Sequence, residues 1–217
     1  MEKYVITTEN TADLPYSYYK EHQVEYMYLT YQLDGITYNK ENELDFKEFY
    51  SRMRAGSMPT TSQVNSEEAK DVLRPLLEAG NDVLHLAFSS GLSGSYNSVR
   101  LAAEELKEEY PDRKILVVDS LCASLGEGLF VYKAVQMKEA GASVDEVAAW
   151  LEEHKQNFCH VFPVDDLFHL YRGGRVSKAA AIVGTMINLK PLLHVDDEGH
   201  LIPLSKVRGR KKSLATL

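Results

Sequence analysis

Two hydroxyl-rich stretches carry side chains that could hold an anion. The first, Pro59-Thr60-Thr61-Ser62-Gln63, has three hydroxyls in a row and precedes a helix start at which Asn65 and Glu68 have capping-box spacing. Ser and Thr often satisfy the free N–H groups at such a start, so helix capping is the first interpretation of these hydroxyls. Ligand binding is the second.

The second stretch, Ser89 to Ser95, contains four serines and two glycines between a predicted strand and a predicted helix. Free N–H groups and the helix dipole favour a carboxylate or phosphate at such a place. Gly91 and Gly94 also suit a capped left-handed turn. The two interpretations are compatible, because the same amides serve both.

Catalytic chemistry finds less support in these residues. The run Gly91 to Ser95 misses the G-x-S-x-G elbow of serine hydrolases by one position, and no base is assignable to Ser93. The chain has no phosphate-binding glycine motif for a nucleotide. Its seven histidines show no metal-ligand spacing, so we expect neither a metal nor a cofactor.

Carboxylates and arginines at the ends of elements have two interpretations each. Asp119-Ser120 and Asp165-Asp166 could serve as acid–base or Mg²⁺ groups at strand ends, but caps of the following helices are the preferred interpretation. Arg172-Gly173-Gly174-Arg175 is typical of a helix end, although either arginine could hold an anion.

Strands and helices alternate in the first half of the chain. Apolar runs predict core strands at 3–7, 83–88 and 114–118, with helices after Pro15 and from Tyr96 to Tyr110. This order predicts a largely parallel sheet covered on both faces. Ligands of such sheets lie beyond the carboxyl ends of the strands, where Thr8–Thr11 and Ser89–Ser95 follow two of the predicted strands.

A second, smaller α/β lobe is predicted after a helix that Ser143 and Glu146 cap. An extended run at 158–164 and a hairpin of 191–195 with 201–204 follow it. We therefore expect an N-terminal lobe over 1–157 and a partial C-terminal lobe over 158–217. The last residues, 213–217, have the pattern of early helix turns, as if the sequence were truncated.

Composition and charge limit the setting. The first residues contain no signal peptide, and no run is long and apolar enough for stable membrane insertion, which predicts a cytoplasmic protein. Cys122 and Cys159 are predicted to be buried free thiols. A net charge of -8 argues against nucleic-acid binding by the chain as a whole. The basic run Lys206–Lys212 is interpreted first as a solvated helix start and second as a patch for nucleic acid or a partner.

Six short stretches, taken in order, resemble the DegV family over essentially the whole chain. They are Asn10–Pro15, Pro59–Gln63, Ser89–Tyr96, Asp119-Ser120-Leu121 with Ala123-Ser124, Arg172–Arg175, and Lys190-Pro191 with Lys206–Lys212. The resemblance implies two α/β lobes with one long-chain, palmitate-like fatty acid buried between them. Apolar residues of the predicted strands and of the helix predicted at 179–187 would then line its tunnel.

Carried over to this chain, Thr61 and Ser93 match the residues that bind the carboxylate, with Ser62, Gly94 and Ser95 beside them. The resemblance also implies that the chain catalyses nothing alone and presents its acyl chain to a separate fatty-acid kinase. An enzyme acting on a small anionic substrate, such as a phosphotransferase, is the alternative.

The family opening usually reads T-D-S-T-A-D, whereas this chain has Thr8-Glu9-Asn10-Thr11-Ala12-Asp13. The resemblance also implies that the family's last segment, which includes a histidine near the carboxylate, is missing after Leu217.

Overall fold

The computed structural model describes residues 3–165, 167–178 and 189–217. The helix predicted at 179–187 lies outside these ranges. In chain order, the strands are β1 Tyr4–Glu9, β2 Glu25–Met27, β3 Tyr31–Leu33, β4 Ile36–Tyr38, β5 Thr60–Thr61, β6 Asp82–Ala87, β7 Ile115–Asp119, β8 Val161–Pro163, β9 Leu189–Val195 and β10 Leu201–Arg208. The helices are α1 Tyr16–Glu21, α2 Phe46–Arg54, α3 Ser66–Glu78, α4 Ser95–Glu109, α5 Leu125–Glu139, α6 Val144–His154, α7 Phe168–Arg172 and α8 Arg210–Thr216, with 3-10 turns at Asn10–Ala12 and Lys155–Asn157.

The predicted parallel sheet is confirmed, in the order β2-β1-β6-β7 with every pair parallel. Helices cover both faces: Leu84 and Leu86 pack with residues of α5 and α6, while Val83 and Ile115 pack with α3 and α4. Each such side chain contributes about 1.5–3 kcal/mol when fully buried. All six residues of β6 are buried for this reason, and four of them are apolar.

Capping boxes begin two of the helices, as the sequence predicts. The Asn65 side chain accepts the N–H of Glu68 at 3.0 Å, and the Glu68 carboxylate accepts the N–H of Asn65 at 2.9 Å. Ser143 and Glu146 make the same exchange at the start of α6. These caps satisfy N–H groups that a helix start leaves free.

A small antiparallel sheet, β4-β3-β5, was not predicted. Asp34 and Gly35 join β3 to β4 with positive φ at both residues, the backbone of a tight hairpin turn. On its other side β3 pairs with β5, so Tyr31 lies opposite Thr61. The hydroxyl stretch at Thr60 and Thr61 is therefore a strand of this sheet.

The second lobe contains the antiparallel sheet β10-β9-β8, and the predicted hairpin is confirmed as β9 and β10. Its core consists of Leu167, Val176, Leu193 and Leu201, together with Leu92 from the first lobe. The loop that follows β6 is therefore part of the second lobe's core.

One prediction about the cysteines is wrong. Cys122 is buried, but Cys159 is exposed, because it lies on the connection that precedes the short strand β8. Both are free thiols. Among the described residues, the helices are all too short or too polar to cross a membrane.

Candidate ligand-binding site

The Ser89–Ser95 loop leaves the carboxyl end of β6 and leads directly into α4. Most of its backbone N–H groups already have partners inside the protein. The Ser89 N–H donates to the Cys122 carbonyl at 3.0 Å, and the Ser90 N–H donates to the Asp119 carboxylate at 3.1 Å. The Gly94 N–H donates to no group among the described residues, so this amide remains available to an anion.

The left-handed turn predicted at the two glycines is wrong, because neither Gly91 nor Gly94 has a positive φ. Their lack of a side chain serves close packing instead. A Cβ at Gly91 would lie 2.7 Å from the Glu198 carbonyl oxygen, and one at Gly94 would overlap the Gln63 side chain. The loop therefore needs glycine at position 91, where it meets backbone atoms of the second lobe, whereas at Gly94 the neighbour is the flexible end of a side chain.

Ser93 is half-buried, and its hydroxyl contacts the first residue of α4. Its oxygen is 3.0 Å from the Ser95 Oγ and accepts the Ser95 N–H at 3.2 Å. When the Ser95 hydroxyl donates to Ser93, both contacts use Ser93 as an acceptor. The Ser93 hydrogen is then free to be donated to a ligand oxygen.

Thr61 and Ser62 present two further hydroxyls. Both residues are exposed, and neither hydroxyl hydrogen-bonds to another described residue. The Ser62 N–H donates to the Thr30 carbonyl at 2.9 Å, which fixes the backbone. Helix capping does not explain these hydroxyls, since Asn65 caps α3.

The two hydroxyl stretches meet. The Val64 N–H donates to the buried Ser95 hydroxyl at 3.1 Å. Gln63 lies against Gly94 and donates to the Ser98 hydroxyl at 3.0 Å. The two hydroxyl stretches are therefore in contact beside the start of α4, through Gln63 and Val64.

Other residues singled out in the sequence have structural partners. The interpretation of Asp119 and Ser120 as helix caps is wrong, because no side chain caps α5. Instead, Asp119 accepts the N–H of Ser90 and of Leu121, and Ser120 accepts the N–H of Cys122. Asp119 thus fastens the candidate loop to the end of β7.

The basic and acidic residues of the second lobe also have contacts. Asp165 was predicted to cap the following helix, but α7 has no side-chain cap, and Asp166 lies outside the described residues. Asp165 instead pairs with Lys190 at 2.9 Å, and this ion pair lowers the pKa of the Asp165 carboxyl. Arg172 ends α7 before Gly173, as predicted, while Arg175 donates to the Leu92 carbonyl at 3.1 Å. The basic run at 206–212 is divided between β10 and the start of α8.

A buried polar cluster behind the loops was not predicted as a functional feature. Thr8, His85 and Glu127 are fully buried, and the Thr8 hydroxyl lies 2.9 Å from the Leu86 carbonyl and 3.0 Å from the Glu127 carboxyl. Thr8 has one hydrogen, and the Leu86 carbonyl can only accept. When Thr8 donates to Leu86, Glu127 completes the second contact by donating its own proton. Burial raises the pKa of Glu127 well above its ordinary value, with a further contribution from the charge of Glu9, which agrees with a protonated Glu127.

Two cavities lie away from the hydroxyls. One of about 290 Å³ separates Leu121 from β8, β9 and β10, and one of about 360 Å³ lies against Trp150 and Tyr132. Thr61 and Ser93 line neither of them.

In the described ranges, one group of side chains has the spacing of metal ligands, namely the turn residues Asp196, Glu198 and His200. The Asp196 carboxylate already accepts two backbone N–H groups of that turn.

Known proteins resemble this chain over its whole length. Residues 3–217 match the family described as "Uncharacterised protein, DegV family". A DegV domain-containing protein of Clostridium perfringens is 48% identical over 219 residues, covering 100% of this chain and 75% of the relative.

Two solved structures are similar to this one. A DegV family protein from Thermus thermophilus, described by its fatty acid binding, has a TM-score of 0.85 and 37% identity over 98% of this chain and 74% of its own. A stearic-acid-binding protein from Eubacterium ventriosum has a TM-score of 0.88 and 29% identity over 100% of this chain and 74% of its own. The predicted two-lobed α/β fold is confirmed by these likenesses, and the chain belongs to the DegV family.

Proposed function

We propose that this chain binds one long-chain fatty acid and holds its carboxylate with the hydroxyls of Thr61 and Ser93. Ser62 and the Gly94 and Ser95 backbone form the surroundings of the head group. The observation that carries the proposal is the meeting of the two loops: the Val64 N–H donates to the Ser95 hydroxyl, while the Thr61 hydroxyl stays unpaired among described residues. The fatty-acid binding of the similar proteins supports the choice of ligand.

The ligand divides into two energetic parts. Burying an acyl chain contributes about 0.8 kcal/mol per CH₂, so the tail can drive binding alone. Charge-assisted hydrogen bonds to the carboxylate contribute about 1.5–3 kcal/mol each and fix the position of the head. Such a carrier needs an apolar tunnel and a polar mouth, and it needs no catalytic base.

We further propose that the protein acts in the cytoplasm, catalyses no reaction alone, and presents its fatty acid to a separate fatty-acid kinase. Residues 1–157 would form one lobe and residues 158–217 part of the other. The three-residue turn before Phe158 supports this boundary, since the parallel sheet lies before it and the antiparallel sheet β10-β9-β8 lies after it.

Extraction of the purified protein tests the ligand. Denaturing mass spectrometry of an organic extract is expected to find a C16–C18 fatty acid, roughly one per chain. Turnover of ATP or an ester by the chain alone, lost on Ser93→Ala, would instead favour the enzyme alternative.

Titration of the delipidated protein with palmitate tests the head-group residues. Thr61→Val and Ser93→Ala are each expected to weaken binding about ten- to a hundredfold. Thr60→Val and Ser90→Ala are matched controls, because both side chains are exposed and Thr60 lies on the opposite face of β5 from Thr61. Equal affinity of all four variants and the parent would place the carboxylate elsewhere.

A further inference from the structure

The side chain of Glu9 connects β1 to the loop that carries Ser93. Glu9 is the last residue of β1 and is fully buried. Its Oε2 accepts the N–H of Phe88 at 2.8 Å. Phe88 is the residue between β6 and the Ser89–Ser95 loop, so this hydrogen bond fixes the direction in which the loop leaves the sheet.

The next residue, Asn10, makes the equivalent connection to the strand that carries Thr61. The Asn10 Oδ1 accepts the N–H of Leu29 at 2.8 Å. The adjacent Thr30 carbonyl accepts the Ser62 N–H at 2.9 Å, and Tyr31 pairs with Thr61 in the small sheet. Asn10 is therefore connected, through the backbone of residues 29–31, to the strand that carries Thr61.

We infer that Glu9 and Asn10 are positioning residues for the two parts of the site: Glu9 orients the loop that carries Ser93, and Asn10 orients the strand that carries Thr61. The inference rests on the proposed function of that site. Consecutive Cα atoms are about 3.8 Å apart across a trans peptide, so the two connections begin at adjacent points of the chain. Glu9 itself is held by the parallel sheet on both sides, since β1 pairs with β2 and with β6.

The environment of Glu9 explains why its carboxyl points toward the loop. The second oxygen, Oε1, lies 3.6 Å from the Nε2 of His85, whose Nδ1 contacts the Thr7 hydroxyl at 2.9 Å. His85 and Thr7 are fully buried, as Glu9 is. The carboxyl is thus placed between His85 on β6 and the Phe88 N–H.

Palmitate and 1-hexadecanol, which share a chain length but differ in the charge of the head, distinguish positioning from general stability. Glu9→Ala and Asn10→Ala are each expected to weaken palmitate binding about three- to tenfold, because each removes one hydrogen bond that orders a loop. Hexadecanol binding should change less than about twofold, since its neutral head gains little from the two hydroxyls.

Conservative variants guard against loss of folding. Glu9→Gln and Asn10→Asp keep an oxygen that accepts the same N–H, and both are expected to bind palmitate like the parent. Leu77→Ala, at the far end of α3, is the matched stability control, because it creates a buried cavity away from both loops. It should lower the melting temperature and leave the palmitate-to-hexadecanol ratio unchanged. A Glu9→Gln loss as large as that of Glu9→Ala would overturn the inference.

Double variants assign each connection to its loop. In a Ser93→Ala background, Glu9→Ala should weaken palmitate binding by less than about twofold, whereas in a Thr61→Val background it should keep its full effect. Asn10→Ala should show the reverse. If Thr61→Val and Ser93→Ala alone bind like the parent, the proposed site is wrong. If those two lose affinity while the Glu9 and Asn10 variants do not, only this inference fails.

Discussion

The carboxyl edge of the parallel sheet has a closed region and an open region. In the closed region, Thr8, His85 and Glu127 are fully buried, and each makes a polar contact inside the protein. In the open region, the Thr61 hydroxyl is exposed and has no described partner, and Ser93 retains a hydrogen that its neighbours do not require.

The difference separates stability from binding. A buried polar group without a partner costs free energy, so the polar contacts of the closed region contribute to the stability of the fold. Two atoms of this region, Glu127 Oε2 and His85 Nε2, have no hydrogen-bond partner among the described residues. Exposed hydroxyls hydrogen-bond to water when no ligand is bound, so they need no partner within the protein. Substitutions in the closed region should therefore change the free energy of unfolding, and those in the open region should change ligand affinity.

Glu127→Ala should show the largest effect on stability. It removes a fully buried side chain and its contact with the Thr8 hydroxyl, and we expect a loss of about 3 kcal/mol in the free energy of unfolding. Urea denaturation measures this loss. A change below about 1 kcal/mol would show that the closed region does not stabilise the fold.

Gly91→Ala and Gly94→Ala test the two close approaches of the Ser89–Ser95 loop. A methyl group at Gly91 meets backbone atoms of Glu198 and Gly199, so we expect a loss of about 2 kcal/mol in stability. At Gly94 it meets the end of the flexible Gln63 side chain, so stability should fall by less than about 1 kcal/mol. Thermal unfolding of both variants checks the order, and a larger loss at Gly94 would contradict it.

The closed region should also give the stability a dependence on pH. The folded-state pKa of Glu127 is raised, so the folded protein holds a proton that the unfolded chain releases above about pH 4.3. The stabilisation is fully present below that pH and is lost as the pH rises toward the folded-state pKa, by at most about 1.4 kcal/mol per pH unit.

Glu127→Gln, which cannot ionise, supplies the control for this dependence. The free energy of unfolding of the parent, minus that of the variant, should fall as the pH rises above about 4.3. A difference that is flat or that rises with pH would contradict a protonated Glu127.

The sequence predicted the elements whose pattern is local. The strands β1, β6 and β7 follow from apolar runs, and the capping boxes at Asn65 and Ser143 follow from spacing. The small sheet β4-β3-β5 was missed, although Asp34-Gly35 between two short alternating runs is a hairpin signal. Strands of two or three residues are too short for periodicity to distinguish them from loops.

The candidate site was predicted only as two separate stretches. No local pattern shows that Val64 reaches the Ser95 hydroxyl, because the contact joins residues 31 positions apart. Gly91 and Gly94 suggested a left-handed turn, whereas the structure uses them to bring Glu198 and Gln63 close. A glycine can be required for a positive φ or for close packing, and the sequence does not show which of the two applies. The residues that surround the glycine in the structure decide it.

Asn65→Ala should give the smallest effect of these substitutions. It tests the other interpretation of the open region, in which the hydroxyls of residues 60–62 cap a helix. The Asn65 side chain accepts the Glu68 N–H at 3.0 Å, so its removal should cost about 1 kcal/mol of stability. Ser62→Ala is the matched variant, because its hydroxyl hydrogen-bonds to no described residue, and it should change stability by less than about 0.5 kcal/mol. Chemical denaturation of both variants without ligand separates the two explanations. Equal losses would mean that Ser62 shares the capping of α3, and the open region would then contribute to the fold as the closed region does.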